Sequence, residues 1–213
     1  MKTIWFATAN EHKRKELSAI LNAAGQRCTV KIPSDEGLQF DPLENGADFF
    51  ENAMIKAKAL HHLTGDPVIA DDSGLCVKAL GGRPGIFSAR YGCENGKKLN
   101  DRDRNALLLK EIGNNPVRDA YFICSMVLMF EEERFFSAQE LLNGEIIDTT
   151  PSGSDITSAP RGSGGFGYDP IFFLPEMNCT LAELDADEKN KISHRGKAGR
   201  ALACFLKDIH AQP

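Results

Sequence analysis

Four short stretches of this sequence carry residue types suited to holding phosphate, a hard metal ion and a planar base. The first is Thr8-Ala9-Asn10-Glu11-His12-Lys13, lying between an apolar run and a helical pattern. Backbone N–H groups at a helix start point outward unpaired. Asn10 or Thr8 can cap them, and Lys13 adds a positive charge, so the turn suits a phosphate. A plain N-cap with surface lysines would have the same composition. The second stretch pairs Glu44, just before a helical pattern that begins near Gly46, with Asp71 and Asp72 at the end of a short apolar strand. Mg2+ takes one or two carboxylates plus water and phosphate oxygens, and ligands gather at the loop ends of an α/β sheet. Taken alone, Asp71-Asp72-Ser73-Gly74 reads first as a turn, because Asp, Ser and Gly dominate turns.

The third is Gly162-Ser163-Gly164-Gly165-Phe166-Gly167-Tyr168-Asp169-Pro170. It matches GxGxxG literally, but a dinucleotide fingerprint follows a strand and opens a helix, and here the glycines lead into the apolar run 171–174. What remains is a glycine loop that presents an exposed aromatic and a carboxylate, suited to stacking on a base and accepting a hydrogen bond from its edge. The plainer alternative is a connector. The fourth is Lys189 with Ser193-His194-Arg195 at the start of the last helix. Cations in a first helical turn oppose the positive end of the helix dipole, so their presence there invites an anion, although a solvated basic face is also possible.

These stretches must be positioned by alternating strands and helices. Residues 4–7 form a short apolar strand, and Leu17, Ile20, Leu21 and Ala24 recur at helical spacing before Gly25. A second helix is predicted over about 46–62, with Phe50, Ala53, Met54, Ala57 and Leu60 on its apolar face and Glu51, Asn52 and Lys56 off it. Residues 68–70 make a brief strand, the Asp71–Gly74 turn follows, and 75–77 resumes an extended segment. Asp101 or Asp103 caps a helix that runs to Gly113. Residues 121–130 read as a buried strand, 135–137 and 140–147 as antiparallel partners, and 171–174 as a further strand. Ser193 caps a last helix whose apolar face holds Ala198, Ala201, Leu202, Phe205 and Ile209. The reading is mixed α/β or α+β, built on an elongated mixed sheet flanked by helices.

The chain has 213 residues, 42% hydrophobic and 26% charged, with a net charge of −5. Such a composition excludes collagen-like, mucin-like and disordered classes. A mild acidic excess disfavours a broad basic face for nucleic acid or for an anionic membrane. The six cysteines show no CxxC and no zinc spacing, and Cys76 and Cys124 lie inside apolar runs, as expected of core thiols in a reducing cytoplasm. No stretch is apolar for long enough to span a bilayer. Neither a P-loop, HExxH, GxSxG nor a kinase signature is present.

Taken together, the motifs resemble the inosine triphosphate pyrophosphatase family, also called dITP/XTP pyrophosphatases. The matching segments are residues 7–13, Glu44-Asn45-Gly46, Phe49-Phe50-Glu51-Asn52-Ala53, residues 70–75, Leu80-Gly81-Gly82-Arg83-Pro84-Gly85, Ser88-Ala89-Arg90-Tyr91, residues 164–170, Glu188-Lys189 and residues 192–196, in family order along nearly the whole chain. The resemblance implies a single domain over residues 1–213 with two lobes and an active-site cleft between them, usually a homodimer. It implies Mg2+-dependent hydrolysis of ITP, dITP and XTP between the α and β phosphates, which would cleanse the nucleotide pool. By motif, Thr8 to Lys13 would hold phosphates, Glu44 and Asp72 would ligate the metal, and Asp72 would orient or deprotonate water. Ser73, Lys56 and Lys189 would contact phosphate or sugar. Phe166, Gly167, Tyr168 and Asp169, with His194 and Arg195, would form the purine pocket, Arg195 or His194 donating to the oxygen at C6. Ala9 stands where many relatives carry glycine, and residues 93–117 and the insert 151–158 carry no family signal. The rival readings are a Maf-like pyrophosphatase of other base preference, a non-catalytic nucleotide-binding module and a single-strand nucleic-acid binder.

Overall fold

The computed structural model describes residues 2–26, 28–148 and 160–211. The chain opens with β1 (Lys2–Phe6) and turns into α1 (Glu11–Ala23), which buries Leu17, Ile20 and Leu21. β2 (Cys28–Lys31) follows, and then α2 (Phe49–Thr64), whose N-cap Asp48 accepts from the Glu51 N–H. β3 (Val68–Val77) leads by way of a 3-10 segment to α3 (Asp101–Ile112), β4 (Asp119–Glu131) and β5 (Arg134–Ile146). The remainder comprises β6 (Phe172–Leu174), β7 (Cys179–Thr180), α4 (Ala186–Ile192) and α5 (His194–Ala211). Among the described residues the seven strands form one sheet in the order β2-β1-β3-β4-β5-β6-β7. β1 pairs parallel with β2 and β3, whereas β6 pairs antiparallel with β5 and β7, so the sheet is mixed and flanked by helices as expected.

Several local expectations are corrected. Residues 71–74 are not a turn, and Asp71 and Asp72 do not end a strand; β3 runs unbroken through them for ten residues. Turn propensity is weak against a continuous ladder once both carboxylates find buried cationic partners. Residues 135–137 and 140–147 are not separate strands but parts of β5, a single strand of 13 residues. Asn100, not Asp101 or Asp103, caps α3, its side chain accepting from the Asp103 N–H. Lys189 lies in α4, a helix separate from α5, and the insert 151–158 lies outside the described residues.

Close contacts divide the residues into two compact units. The first comprises Met1–Ser73, Cys124–Glu140 and Asn190–Pro213. Its core follows the two-residue period of strands, in which successive side chains face opposite ways. Ile4, Phe6, Ile69, Cys124, Met126 and Leu128 pack with Leu17 and Leu21 of α1 and Ala198 and Leu202 of α5. Their neighbours Trp5, Ala7, Val68, Ala70, Val127 and Met129 pack on the other face against Ala53, Ala57 and Leu60 of α2. Burying each large side chain contributes about 1.5–3 kcal/mol. The stripe on α5 is rotated from the predicted one. Leu206 and Ala203 are buried, Phe205 stacks partly buried on Phe136 at 4.4 Å, and Ile209 is exposed.

The second unit comprises Gly74–Ile123 and Leu141–Lys189. Phe122 and Phe172 pack ring on ring at 4.7 Å, and Leu75, Val77, Leu108, Ile171 and Leu181 are fully buried. All six cysteines are free thiols, and Cys76 and Cys124 are buried as expected.

Candidate active site

In the first unit the site grows from two adjacent residues of β3. Asp71 and Asp72 point to opposite faces of the strand, and each meets the helices packed on its side. Asp71 shares its face with Ile69, towards α1 and α5. Lys13 Nζ of α1 donates to its Oδ1 at 3.1 Å, and Arg195 of α5 donates to its Oδ2 through Nε at 3.1 Å and Nη2 at 3.0 Å. Ser73 returns to this face, where its Oγ accepts from Arg195 Nη2 at 2.7 Å, and Glu16 accepts from Nη1 at 2.7 Å. Burial raises the Asp71 pKa, but Lys13, Arg195 and Lys56 together overcome it and hold the carboxyl well below its ordinary range. Arg195 is held firmly cationic, its burial outweighed by Asp71 and Glu16. The Cys124 thiol lies 3.9 Å from Asp71, and burial and that carboxylate push its pKa up, so it stays neutral.

Asp72 faces α2. Its Oδ1 accepts from Lys56 Nζ at 3.2 Å and its Oδ2 from Asn52 Nδ2 at 3.3 Å. Lys56 and Asn52 are therefore not off the buried face, as their polarity implied; they are 7% and 0% exposed. Their i, i+4 spacing puts both on one side of the helix. The same Lys56 ammonium lies 3.4 Å from Glu44, and Asn52 Oδ1 accepts from the Gly46 N–H at 2.9 Å, tying the 44–46 loop to Asp72. Burial, opposed by Lys56 and Lys13 but assisted by Glu44 and Asp71, leaves the Asp72 carboxyl raised. Lys56 is itself raised, its burial outweighed by Asp72, Asp71 and Glu44.

The 8–13 turn sits beside β3 because the Ala7 N–H donates to the Ile69 carbonyl at 2.8 Å. Thr8 Oγ1 accepts from the Asn10 N–H, and Asn10 Oδ1 accepts from the His12 and Lys13 N–H groups at 2.9 and 3.3 Å. Asn10 is thus the helix cap. Ala9, Glu11 and His12 are exposed. At the start of α5, Ser193 Oγ accepts from the Gly196 N–H at 3.0 Å, as the predicted cap should, and His194 and Arg195 are buried. Gly196 is required there, since a Cβ would fall 1.9 Å from the Asn190 carbonyl oxygen.

The second unit holds the glycine loop. Phe166 is half-buried rather than exposed, and Tyr168 and Asp169 are buried. Asp169 Oδ2 accepts from the Phe166 N–H at 2.8 Å and from Lys189 Nζ at 2.7 Å, and Lys189 also sits 4.8 Å from the centre of the Phe166 ring. A Cβ on Gly165 would lie 2.0 Å from the Asp169 carboxylate, which explains that glycine. Tyr168 Oη donates to the Ser88 carbonyl at 2.9 Å, and burial pushes its phenol up. The loop leads through a 3-10 turn into β6, not into a helix, so no dinucleotide fingerprint is formed.

Sequence reasoning left Glu16 and Asn52 out of the site. Asn52 is four residues before Lys56, with Ala53 and Ala57 beside them, a small-residue helix face that lets polar side chains reach the sheet. Glu16 is three residues after Lys13, at the edge of the Leu17, Ile20, Leu21 stripe.

Residues 4–205 match the Ham1 family. The chain belongs to it. The dITP/XTP pyrophosphatase of Treponema denticola is 47% identical over 96% of this chain and 98% of its own length, and that of Legionella pneumophila is 42% identical over 98% and 100%. Among solved structures, a HAM1 protein from Coxiella burnetii aligns at TM-score 0.82 with 37% identity, covering 98% of this chain and all of the other. The Ham1 protein of Staphylococcus aureus aligns at TM-score 0.80 with 35% identity over the same shares. In this Ham1-family chain the residues that could hold a metal are Glu44 and Asp72, two hard carboxylates with one ammonium between them. A site of one or two carboxylates completed by water and phosphate oxygens is what Mg2+ favours, so the residues fit that ion and not zinc. Among the described residues no helix is long and apolar enough to cross a membrane.

Proposed function

We propose that this protein is a Mg2+-dependent pyrophosphohydrolase that converts ITP, dITP and XTP to the nucleoside monophosphate and pyrophosphate. Relatives at 41–47% identity named dITP/XTP pyrophosphatase support the substrate class. The observation that carries the chemistry is Asp72, a buried carboxyl of raised pKa held by Lys56 and Asn52 with Glu44 beside the same ammonium.

Asp72 aligns a water molecule towards the α phosphorus and takes its proton as the new P–O bond forms; the α–β bridging oxygen departs with pyrophosphate. A carboxyl of raised pKa is the better proton acceptor. Phosphoryl transfer is mostly positioning and charge neutralisation. When bound by Glu44 and Asp72, Mg2+ supplies charge neutralisation at the phosphate oxygens. Three cations (Lys13, Lys56 and Arg195) face four carboxylates (Glu16, Glu44, Asp71 and Asp72), so the cluster alone carries one excess negative charge and would repel a triphosphate. That excess is the electrostatic reason for a divalent cation. Lys56 and the 8–13 turn take phosphate oxygens, with Ser73 and Lys189 at phosphate or sugar.

Base selection falls to Phe166, Gly167, Tyr168 and Asp169, with His194 as donor to the C6 oxygen. Adenine, bearing an amino group there, would leave such a donor unpaired. Arg195 fits a different role from base reading, since its guanidinium is enclosed by Asp71, Glu16 and Ser73. It fixes Asp71 and so the strand that carries Asp72. A cytoplasmic homodimer of single-domain chains completes the reading; a monomer by sedimentation at micromolar concentration would remove the dimer.

The test is product analysis with ITP, XTP, GTP and ATP, with Mg2+ and with EDTA. Pyrophosphate from ITP and XTP, dependent on Mg2+ and scarce from ATP, is expected. Orthophosphate as first product, or no product, would overturn the proposal.

A further inference from the structure

The glycine loop is gripped from α3 at one residue. The Gly167 N–H donates to Asp101 Oδ2 at 2.6 Å, and the Gly167 carbonyl accepts from Asn105 Nδ2 at 3.0 Å. Asp101 and Asn105 are four residues apart on α3 and so share one side of the helix. Arg104, between them, pairs with Asp101, donates to the Ala89 carbonyl at 3.2 Å and lies 5.3 Å from the Tyr168 ring centre. Gly167 has φ +66°, a left-handed conformation that glycine adopts without strain, and it has no side chain through which packing could hold it. Its backbone is therefore the only handle, and both polar groups of that handle are taken.

We propose that Asp101 and Asn105 are positioning residues for base selectivity, clamping Gly167 so that Phe166 and Asp169 are set before a nucleotide arrives. The inference rests on the reading of residues 166–169 as the base pocket. A segment with glycine at 162, 164, 165 and 167 has large conformational entropy, and ordering it on binding would weaken affinity. Recognition by a few polar groups also requires them to be held within about 0.5 Å. The Asp169–Lys189 pair holds one end of the four-residue run; the α3 clamp holds its middle. No contact of Asp101 or Asn105 with substrate is required.

The experiment compares kcat and KM for ITP and ATP, with Mg2+, in the parent protein and in Asp101→Ala, Asp101→Asn, Asn105→Asp and Phe166→Ala. The Asp101 side chain is half-exposed but its partner Arg104 is buried, so Asp101→Ala also costs stability; thermal unfolding checks that it stays folded, and Asn105→Asp, which leaves that pair intact, carries the same test. Asp101→Ala should raise KM for ITP about tenfold with kcat little changed, the size expected for one charge-assisted hydrogen bond, and lower the ITP/ATP selectivity ratio in proportion. Asp101→Asn keeps an acceptor for the Gly167 N–H and should stay near the parent. Asn105→Asp sets an acceptor against the Gly167 carbonyl and should resemble Asp101→Ala. A selectivity ratio unchanged in folded Asp101→Ala overturns the inference, as does an Asp101→Asn variant equally impaired, because charge and not the grip would then matter. Phe166→Ala tests the underlying reading separately: an unchanged KM there removes the base pocket and the inference with it, whereas a raised KM beside an unaffected Asp101→Ala removes the clamp alone.

Discussion

Asp71 makes a quantitative prediction, because it is the joint between β3, α1 and α5 and lies fully enclosed. Replacing it by Asn preserves shape while removing the charge that compensates Lys13 and Arg195. Breaking a buried pair by removing one partner costs about 3–5 kcal/mol. The lower end applies here, since Lys13 retains partial exposure and can take water, and Arg195 keeps Glu16 at 2.7 Å and Ser73 at 2.7 Å. At roughly 2–4 °C per kcal/mol for a chain of this size, a loss of about 3 kcal/mol lowers Tm by roughly 6–12 °C at pH 7.

The pH dependence of that difference follows from the direction of the shift. Asp71 titrates below its ordinary value of 3.8 in the folded protein, so its stabilisation is present in full above that value and fades only as pH falls through the lower folded value. The Tm gap between parent and Asp71→Asn should therefore stay constant from pH 7 to about pH 5 and begin to close only below about pH 4. Thermal melts followed by circular dichroism across that range decide the matter. A gap under about 2 °C at pH 7 would mean the network is not compensating charge as argued. A gap already closed by pH 6 would mean that the group responsible is not Asp71.

Other expectations follow from the same side chains. Asp72→Asn removes the proton acceptor and sets an amide donor against Lys56 or Asn52; kcat should fall by about 10²–10⁴, and retained turnover would exclude Asp72 as the base. Lys56→Met leaves Asp72 and Glu44 facing one another without the ammonium that lowers the Asp72 carboxyl, so the acid limb of kcat/KM should move to higher pH, the opposite direction refuting the assignment. Gly196→Ala places a methyl against the Asn190 carbonyl, which should destabilise by about 1–3 kcal/mol; a variant as stable as the parent on urea unfolding would show that the α4–α5 junction yields freely.

Much of this fold was legible because its buried stripes obey simple periods. Leu17, Ile20 and Leu21 announced α1, and the apolar run 121–130 announced β4. The chemistry-bearing stretches were legible as residue types at helix starts and beside apolar runs. What could not be read was the state of the charges. Asp71-Asp72-Ser73-Gly74 has turn composition, and only the arrival of Lys13, Arg195 and Lys56, from positions 58, 124 and 15–16 residues away, makes it strand. Asn52 and Lys56 read as a solvated face for the same reason, since polarity alone does not reveal that a buried carboxylate waits opposite.

The misreadings at 71–74 and at Lys56 have a common physical origin, which bears on why the site is built this way. In a strand, adjacent side chains face opposite ways, so the two consecutive acids take their hydrogen bonds from different side chains, one set on each face. The two faces are not treated alike. Asp71 receives two cations and is held strongly ionised, a fixed strut, whereas Asp72 receives one ammonium shared with Glu44 and is left raised. A residue that must accept a proton during turnover cannot also be locked into its charged form, and a residue that must keep the strand in place cannot be free to lose its charge. Dividing these demands between neighbouring positions, with opposite helices enforcing each, gives one short segment both rigidity and reactivity. Removing each acid in turn tests the division: in Asp72→Asn the α1–α5 side should keep its stability, and in Asp71→Asn the residual kcat should keep an acid limb set by Asp72, moved to lower pH because the Asp71 charge that raises Asp72 is gone.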